Sequence, residues 1–340
     1  KARRGPLAEV SASVDRVRAT LACYDTFQPG VDGPRDLPST PELARRVGHA
    51  WEAYRHARHP EVLRMLPALL RDARHVHRAT TAPGTEVSDA AADLLVRVYR
   101  LAAQVLVKLG EADLAWLAAD RAMAVAAGDL RRAAAAAIAL AQALRAQHRG
   151  QLALAVAVAA AQRLAPPPSP TSAPGGLALA GTLLVEAALA AGSYGDAHAA
   201  GDFIEYAARL ATIAADQPEP DGDEVGFGPV AVDLARARIA ADLGDHRRAV
   251  TAHQRVTDAD GWPRLPAEHR AAHLIDIARA HLNLGNAGSA GRALVTADRI
   301  APAEVRIRPV AHAALTAVLR TGRTSADVDR LVTAVGLARR

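Results

Sequence analysis

A glycine followed five residues later by an alanine recurs along this chain at nearly even spacing. The pairs are Gly110/Ala115, Gly150/Ala155, Gly192/Ala197, Gly244/Ala249 and Gly285/Ala290. Successive glycines lie 40, 42, 52 and 41 residues apart, and periods of this order are typical of repeat arrays. The segment before the first glycine, 91–109, carries apolar residues at helical spacing, and similar stripes recur between the glycines. We therefore expect each glycine to end one helix in a left-handed conformation, and each alanine to let the next helix approach closely.

Composition agrees with an all-α chain. Alanine is the best helix former and a poor strand former, and it accounts for 83 of the 340 residues. Aromatic residues make up only 3%, which is too few for a base-stacking surface. A single cysteine, Cys23, excludes an internal disulfide framework and a cysteine-based zinc site.

The turn pattern resembles that of tetratricopeptide repeats (TPRs). Those repeats carry a glycine at the turn, a small residue five positions later, another small residue seven beyond that, and a closing proline. Ala122 and Ala297 fill the later small position in two units, whereas Ile204 and Val256 depart from it. The resemblance implies a right-handed superhelix of about six to seven helix pairs, whose first helices line a concave binding groove.

The chain divides into four segments. We predict an N-terminal helix and linker over 1–36, a first half of TPR-like repeats over 37–165, a Pro-rich linker over 166–176 and a second half over 177–340. The first helix pair should turn at His59, and the last pair should turn at Gly322, with a helix over 303–320 before the turn and one over 325–337 after it. In the N-terminal helix, Leu7, Val10, Val14, Val17 and Leu21 form an a/d stripe. Two interpretations stay open for this stripe, either docking onto the first repeat or dimerisation of two copies.

Side chains that face the groove are predicted at 13, 10, 6, 3 and 2 positions before each turn. For the Gly110 turn these include Arg97, Arg100, Gln104 and Lys108. Cations without an interleaved carboxylate repel one another unless an anion lies among them. This stripe therefore predicts capture of a carboxylate or phosphate, with a solvated basic face as the alternative. The other candidates are His49, Trp51, Tyr54, Gln147, His148, Glu186, Arg238, Arg279 and Asn283.

No catalytic motif occurs in the sequence. The dinucleotide, Walker, zinc-protease and nucleophile-elbow signatures are all absent, so we expect no enzyme, no cofactor and no metal site. An enzyme assembled from the histidines is the weakest alternative. The net charge of +5 is spread over the chain and does not indicate direct DNA binding. The longest apolar run is about half the ~20 residues of a membrane span, so we expect a cytoplasmic protein that does not enter membranes.

Longer stretches resemble a family of regulators. Residues 47–54 (VGHAWEAY), 268–280 (EHRAAHLIDIARA) and above all 108–121 (KLGEADLAWLAADR) are similar to the C-terminal region of actinobacterial XRE-type transcriptional regulators. In that family a helix-turn-helix domain precedes a TPR array. No helix-turn-helix occurs in these 340 residues, so any DNA contact would come from a domain ahead of Lys1.

The resemblance implies a region that senses a ligand, dimerises, or does both. A small molecule or peptide in the groove would control the attached DNA-binding domain, and a homodimer is one expected assembly. The alternative is a TPR adaptor that binds a protein or peptide partner and has no role at DNA.

Overall fold

The computed structural model describes residues 6–23, 37–81, 89–126, 128–164, 174–215, 226–322 and 324–337. Within these ranges there are sixteen α-helices and no strand, which confirms the all-α prediction. A short 3-10 turn lies at Trp262–Arg264. The helices are α1 (Pro6–Ala22), α2 (Thr40–Arg55), α3 (His59–Thr81), α4 (Asp89–Lys108), α5 (Ala112–Val125), α6 (Leu130–Ala146), α7 (Gly150–Leu164), α8 (Pro174–Ser193), α9 (Ala197–Ala215), α10 (Pro229–Asp242), α11 (His246–Asp258), α12 (Ala267–Asn283), α13 (Ala287–Ile300), α14 (Pro302–Arg306), α15 (Pro309–Arg320) and α16 (Ala326–Val335).

The helices stack in chain order. Each helix from α2 to α13 packs against its neighbour in sequence, and each even-numbered helix also contacts the next even-numbered one. At the end of this series, α12 contacts α2. The six even-numbered helices from α2 to α12 therefore form a closed ring, and the odd-numbered helices pack behind them.

Alanine fills the contacts between consecutive helices. Helices α8 and α9 pack against each other, and Ala188 and Ala191 of α8 and Ala200 and Ala207 of α9 are fully buried in the same core. We call these four residues the alanine interface. Small side chains let two helix backbones approach closely, so the high alanine content is a packing requirement as well as a helix-forming one.

The predicted turn register is correct at four positions and wrong at three others. Gly110, Gly244, Gly285 and Gly322 have φ values of 78°, 84°, 73° and 72°, as expected. The left-handed residues of the other turns are Ala57, His148 and Gly195, which replace the predicted His59, Gly150 and Gly192. With this correction, the fully buried alanines five residues later are Ala153 and Ala200. The later small position of the Gly195 unit becomes Ala207, so the apparent departure at Ile204 disappears.

Gly150 serves close packing instead of turning the chain. A Cβ atom on Gly150 would lie 2.7 Å from Ser193 Oγ and 2.8 Å from a ring carbon of Tyr194. Gly192 lies inside α8, where a Cβ atom would make an ordinary contact, 3.4 Å from Ile239 on α10. Neither glycine is the left-handed residue of its turn.

Two other expectations are settled by packing. The helix predicted over 303–320 is broken between α14 and α15, where Pro309 opens the second helix.

In α1, Val14, Val17 and Leu21 are buried in the core that includes α3. Docking within one chain thus accounts for the inner part of the stripe, while Leu7 stays 47% exposed. Most of the predicted linker, 166–173, lies outside the described residues, as does 24–36.

Candidate functional site

The ring of even-numbered helices encloses a cavity of about 400 Å³. Every helix of the ring contributes side chains to its wall, and Phe227 and Arg308 add to them from the connecting segments. A cavity of this size lies within the range of small-molecule sites, roughly 300–1,000 Å³. Side chains from residue 51 to residue 308 thus converge on one space.

The cavity wall contains seven of the side chains proposed from the sequence. They are Trp51, Tyr54, Arg100, Gln104, Lys108, Glu186 and Arg238. The other six candidates lie outside the wall, Gln147 and His148 among them. Arg97 is half-buried on α4, and His49 is exposed, with its Nε2 3.2 Å from Oε1 of Glu61 on α3. Arg279 and Asn283 are exposed on the second half of α12.

The corrected turn register accounts for wall residues on α2 and α6, among them Arg55, Gln142 and Arg145, which the sequence did not single out. Counting six, three and two positions back from Ala57 gives Trp51, Tyr54 and Arg55, all of which line the cavity. Counting six and three positions back from His148 gives Gln142 and Arg145 in the same way. The predicted pair Gln147 and His148 came from starting two residues too late. The starting points at three turns were wrong. From the correctly placed turns at Gly110 and Gly285, the count also gave Arg97, Arg279 and Asn283, which lie outside the wall.

A buried group of charges joins the two ends of the ring. Glu304 of α14 is fully buried, and its Oε1 lies 2.6 Å from His59 Nε2 and 2.9 Å from Lys108 Nζ. Its other carboxylate oxygen accepts a hydrogen bond from Arg308, and Lys108 also pairs with Glu268 of α12. We call His59, Lys108, Glu268, Glu304 and Arg308 the closure cluster, because it ties α3 and α4 to the helices from α12 to α15.

The closure cluster holds its carboxylates ionised. Burial alone would raise the pKa of Glu304, but Lys108, Arg308 and His59 lower that pKa well below its ordinary value. Burial likewise opposes ionisation of Glu268, and Lys108 with His269 brings its pKa below the ordinary value. The positive charge of Lys108 is therefore largely neutralised inside the protein, contrary to the expectation of an unpaired cationic stripe.

Aromatic rings and cations alternate beside the closure cluster. The rings of Trp51 and Tyr54 meet edge to face, with centroids 5.9 Å apart. The guanidinium carbon of Arg100 lies 5.6 Å from the Trp51 ring centroid, and Lys108 Nζ lies 5.9 Å from that of Tyr54. Burial, with the nearby Glu268 and Glu304, raises the pKa of the Tyr54 phenol well above its ordinary value. The phenol is thus neutral and retains its proton for hydrogen bonding.

Glu186 on α8 is neutralised by its neighbours. It accepts hydrogen bonds from Gln142 Nε2 at 2.7 Å and from an Arg145 Nη at 2.8 Å. Both partners lie on α6, the next helix of the ring, so this contact also ties two ring helices together.

Asp276 on α12 pairs with Arg238 on α10, and a guanidinium nitrogen of Arg238 lies 2.6 Å from a carboxylate oxygen of Asp276. Arg238 also contacts Asp242 on its own helix at 2.9 Å. Asp276 raises the pKa of Arg238, and the cations around Asp276 lower the pKa of its carboxyl despite burial.

Two histidines meet next to the cavity. His273 is 6% exposed and lines the wall, and its Nε2 lies 2.9 Å from His253 Nδ1 on α11. Burial and the neighbouring His253 lower the pKa of His273 to about 4. Both rings are therefore neutral near pH 7, and one ring donates its N–H to the other. In the described part of the chain, no group of three or more His, Cys, Asp or Glu side chains is arranged to hold a metal ion.

No family model, curated protein or solved structure matches this chain. One helical segment, Gly176–Ser193, is long and apolar enough to span a membrane, but 67% of it is buried inside the protein. It is a helix of the ring, and its apolar residues pack in the core around the cavity.

Proposed function

We propose that this chain is a TPR-like ligand-binding region, and that its ligand is a small molecule or peptide segment held in the central cavity. The observation that carries the proposal is the convergence of all six ring helices on one cavity of about 400 Å³. In a helical-repeat array the first helix of each pair faces the concave side, which is the usual binding surface. The even-numbered helices occupy that place here.

The ligand would act by favouring one curvature of the array. Ligands shift a conformational equilibrium only by binding one state better than the other. A molecule that contacts α4 and α12 together gains contacts only while the ring is closed, since these helices belong to opposite ends of the array. Ligand binding would therefore stabilise closure.

The resemblance to XRE-type regulators suggests what closure of the ring would do in the cell. In a regulator, closure of the cytoplasmic sensor region would control a helix-turn-helix domain encoded ahead of Lys1. The adaptor alternative predicts no such domain. The gene sequence upstream of Lys1 distinguishes them, because a helix-turn-helix within about 70 codons supports the regulator.

The binding proposal is tested by native mass spectrometry of the purified protein. Ala231 lines the cavity from α10, and Ala231→Phe would fill part of it. Ala155 is exposed on α7 and outside the wall, which makes Ala155→Phe a matched control. A bound molecule should be retained by the native protein and by Ala155→Phe, and lost from Ala231→Phe. Equal retention by a folded Ala231→Phe protein would contradict binding in the cavity.

A further inference from the structure

The cavity wall has an apolar side and a polar side. The apolar side comes mainly from α8 and α10, with Leu179, Val185, Leu189 and Leu234. Phe227 extends it, and its ring lies directly over Gly181, where a Cβ atom would be only 1.9 Å from the ring. The polar side comes mainly from α2, α4 and α12. A ligand that satisfies both sides must itself be amphipathic.

The cavity wall has more basic than acidic side chains. Six basic side chains line the cavity in the described structure, namely Arg55, Arg100, Lys108, Arg145, Arg238 and Arg308. The acidic side chains in the same wall are three, Glu186, Glu268 and Asp276. Each of these carboxylates already pairs with a cation of the wall. Among the side chains of the wall itself the cations outnumber the carboxylates, and behind the wall Arg238 also pairs with Asp242, while Lys108 and Arg308 pair with Glu304.

The polar side of the wall also has buried hydrogen-bond donors that lack acceptors. On the α2 side of the cavity, Trp51 Nε1 and Arg55 Nη1 are buried and have no hydrogen-bond partner among the described residues. Both groups are donors, and buried donors without an acceptor are costly. Arg100, stacked on Trp51, adds a further guanidinium to this side. An acceptor-rich group is what this part of the wall lacks.

We propose that the cavity binds an amphipathic organic anion. Its carboxylate, or another oxyanion of one charge, lies at the α2–α4 side and accepts hydrogen bonds from Arg55 and Arg100. Its apolar chain or ring lies along α8, α10 and Phe227. Guanidinium groups bind carboxylates through short, charge-assisted hydrogen bonds, and these offset the cost of burying the anion. This inference rests on the proposed function and specifies the ligand class for the same cavity.

Three probes with the same ten-carbon chain test the charge. Decanoate, decan-1-ol and decylammonium are titrated into the full chain by calorimetry, below the concentrations at which they form micelles. We expect decanoate to bind about 10- to 100-fold more tightly than decanol, which corresponds to one hydrogen bond to a charged group. Decylammonium should bind most weakly. Decanol or decylammonium binding as tightly as decanoate would overturn the inference and leave the binding cavity in place.

Variants place the anion within the cavity. Arg55→Gln and Arg100→Gln should each weaken decanoate binding about tenfold or more and leave decanol binding unchanged. Arg97→Gln is the matched control, one turn from Arg100 on α4 but outside the wall. Unchanged decanoate affinity in Arg55→Gln and Arg100→Gln would overturn the assignment. Absence of binding by every probe, together with nothing released from the purified protein, would overturn both this inference and the proposed function.

Discussion

The closure cluster and the alanine interface hold two helix contacts together by opposite means. At the alanine interface, α8 and α9 are neighbours in sequence and meet through four fully buried alanines. At the closure cluster, the partners come from opposite ends of the array, and Lys108 and Glu304 are 196 residues apart in sequence. There the contact is made by buried charges.

The difference shows what each contact specifies. Apolar packing between small side chains depends on shape and is nearly independent of pH. A buried ion pair gives little net stability relative to a well-packed apolar contact, but removing one partner leaves an uncompensated charge. The alanine interface therefore sets how closely neighbouring helices stack. The closure cluster determines which distant helices meet.

The largest expected effect breaks the closure cluster. Glu304→Gln removes the negative charge that balances Lys108 and Arg308, both of which have largely buried side chains. We expect a loss of about 3–5 kcal/mol in the free energy of unfolding. Urea denaturation followed by circular dichroism measures it. Glu111→Gln is the control, because Glu111 forms an exposed pair with Arg18 at 3.1 Å, and it should cost less than about 1 kcal/mol.

Acid should weaken the charged contacts selectively. The pKa of His273 is about 4 in the folded protein, below its ordinary value of about 6.5, so the unfolded chain binds a proton that the folded chain does not between these values. Stability therefore falls as the pH falls from about 6.5 to 4, by up to about 3 kcal/mol. The lowered pKa values of Glu268, Asp276 and Glu304 extend this loss to lower pH.

Urea titrations at pH 7.5, 5.5 and 4 measure this dependence. His273→Asn should flatten the profile between pH 6.5 and 4 and leave the loss at lower pH. A variant profile as steep as that of the native protein in this window would show that the His253–His273 pair is not its source.

The alanine interface is tested by overpacking. Ala200 is fully buried between α8 and α9, so Ala200→Leu should cost about 1–3 kcal/mol in unfolding free energy. Ala197, the alanine that the sequence pattern indicated, is exposed, and Ala197→Leu should change stability by less than about 0.5 kcal/mol. If Ala197→Leu proved the more damaging change in urea denaturation, the corrected register would be wrong.

The smallest effects concern the turn next to that interface. Gly195 has a φ of 91°, so Gly195→Ala should destabilise the protein by about 1–2 kcal/mol. Gly192 lies within α8, where a new Cβ atom would make an ordinary contact with Ile239. There Gly192→Ala should stabilise by up to about 1 kcal/mol. Melting temperatures that moved in the same direction for both variants would contradict this assignment.

The sequence predicted the parts of the fold that depend on nearby residues. Helix content and the turns at Gly110, Gly244 and Gly285 follow from local pattern and helical geometry. Ala57 and His148 could not be found in this way, because residues with a Cβ atom seldom adopt the left-handed conformation. Gly150 and Gly192 misled the count because the sequence does not distinguish a glycine inside a helix from one at a turn.

The closure cluster was beyond prediction for a different reason. Nothing in the sequence around Lys108 indicates a partner near residue 304, since that contact depends on the summed geometry of every intervening unit. The same limit explains the misjudged charge of Lys108. Within α4 alone, Lys108 is a cation without a neighbouring carboxylate. Only Glu268 on α12 and Glu304 on α14 neutralise its charge.

Because the helices form a closed ring, small rotations at each helix pair add up at the contact between the two ends of the ring. The curvature of stacked helix pairs arises from a small rotation at each unit, and these rotations add along the chain. A change of a degree or so at one helix pair is slight where it occurs, but it reaches the contact between α4 and α14 multiplied by the distance between them. Short hydrogen bonds such as those of Glu304 tolerate little displacement. The contact where the two ends of the ring meet is therefore the one most sensitive to a minor adjustment elsewhere in the ring.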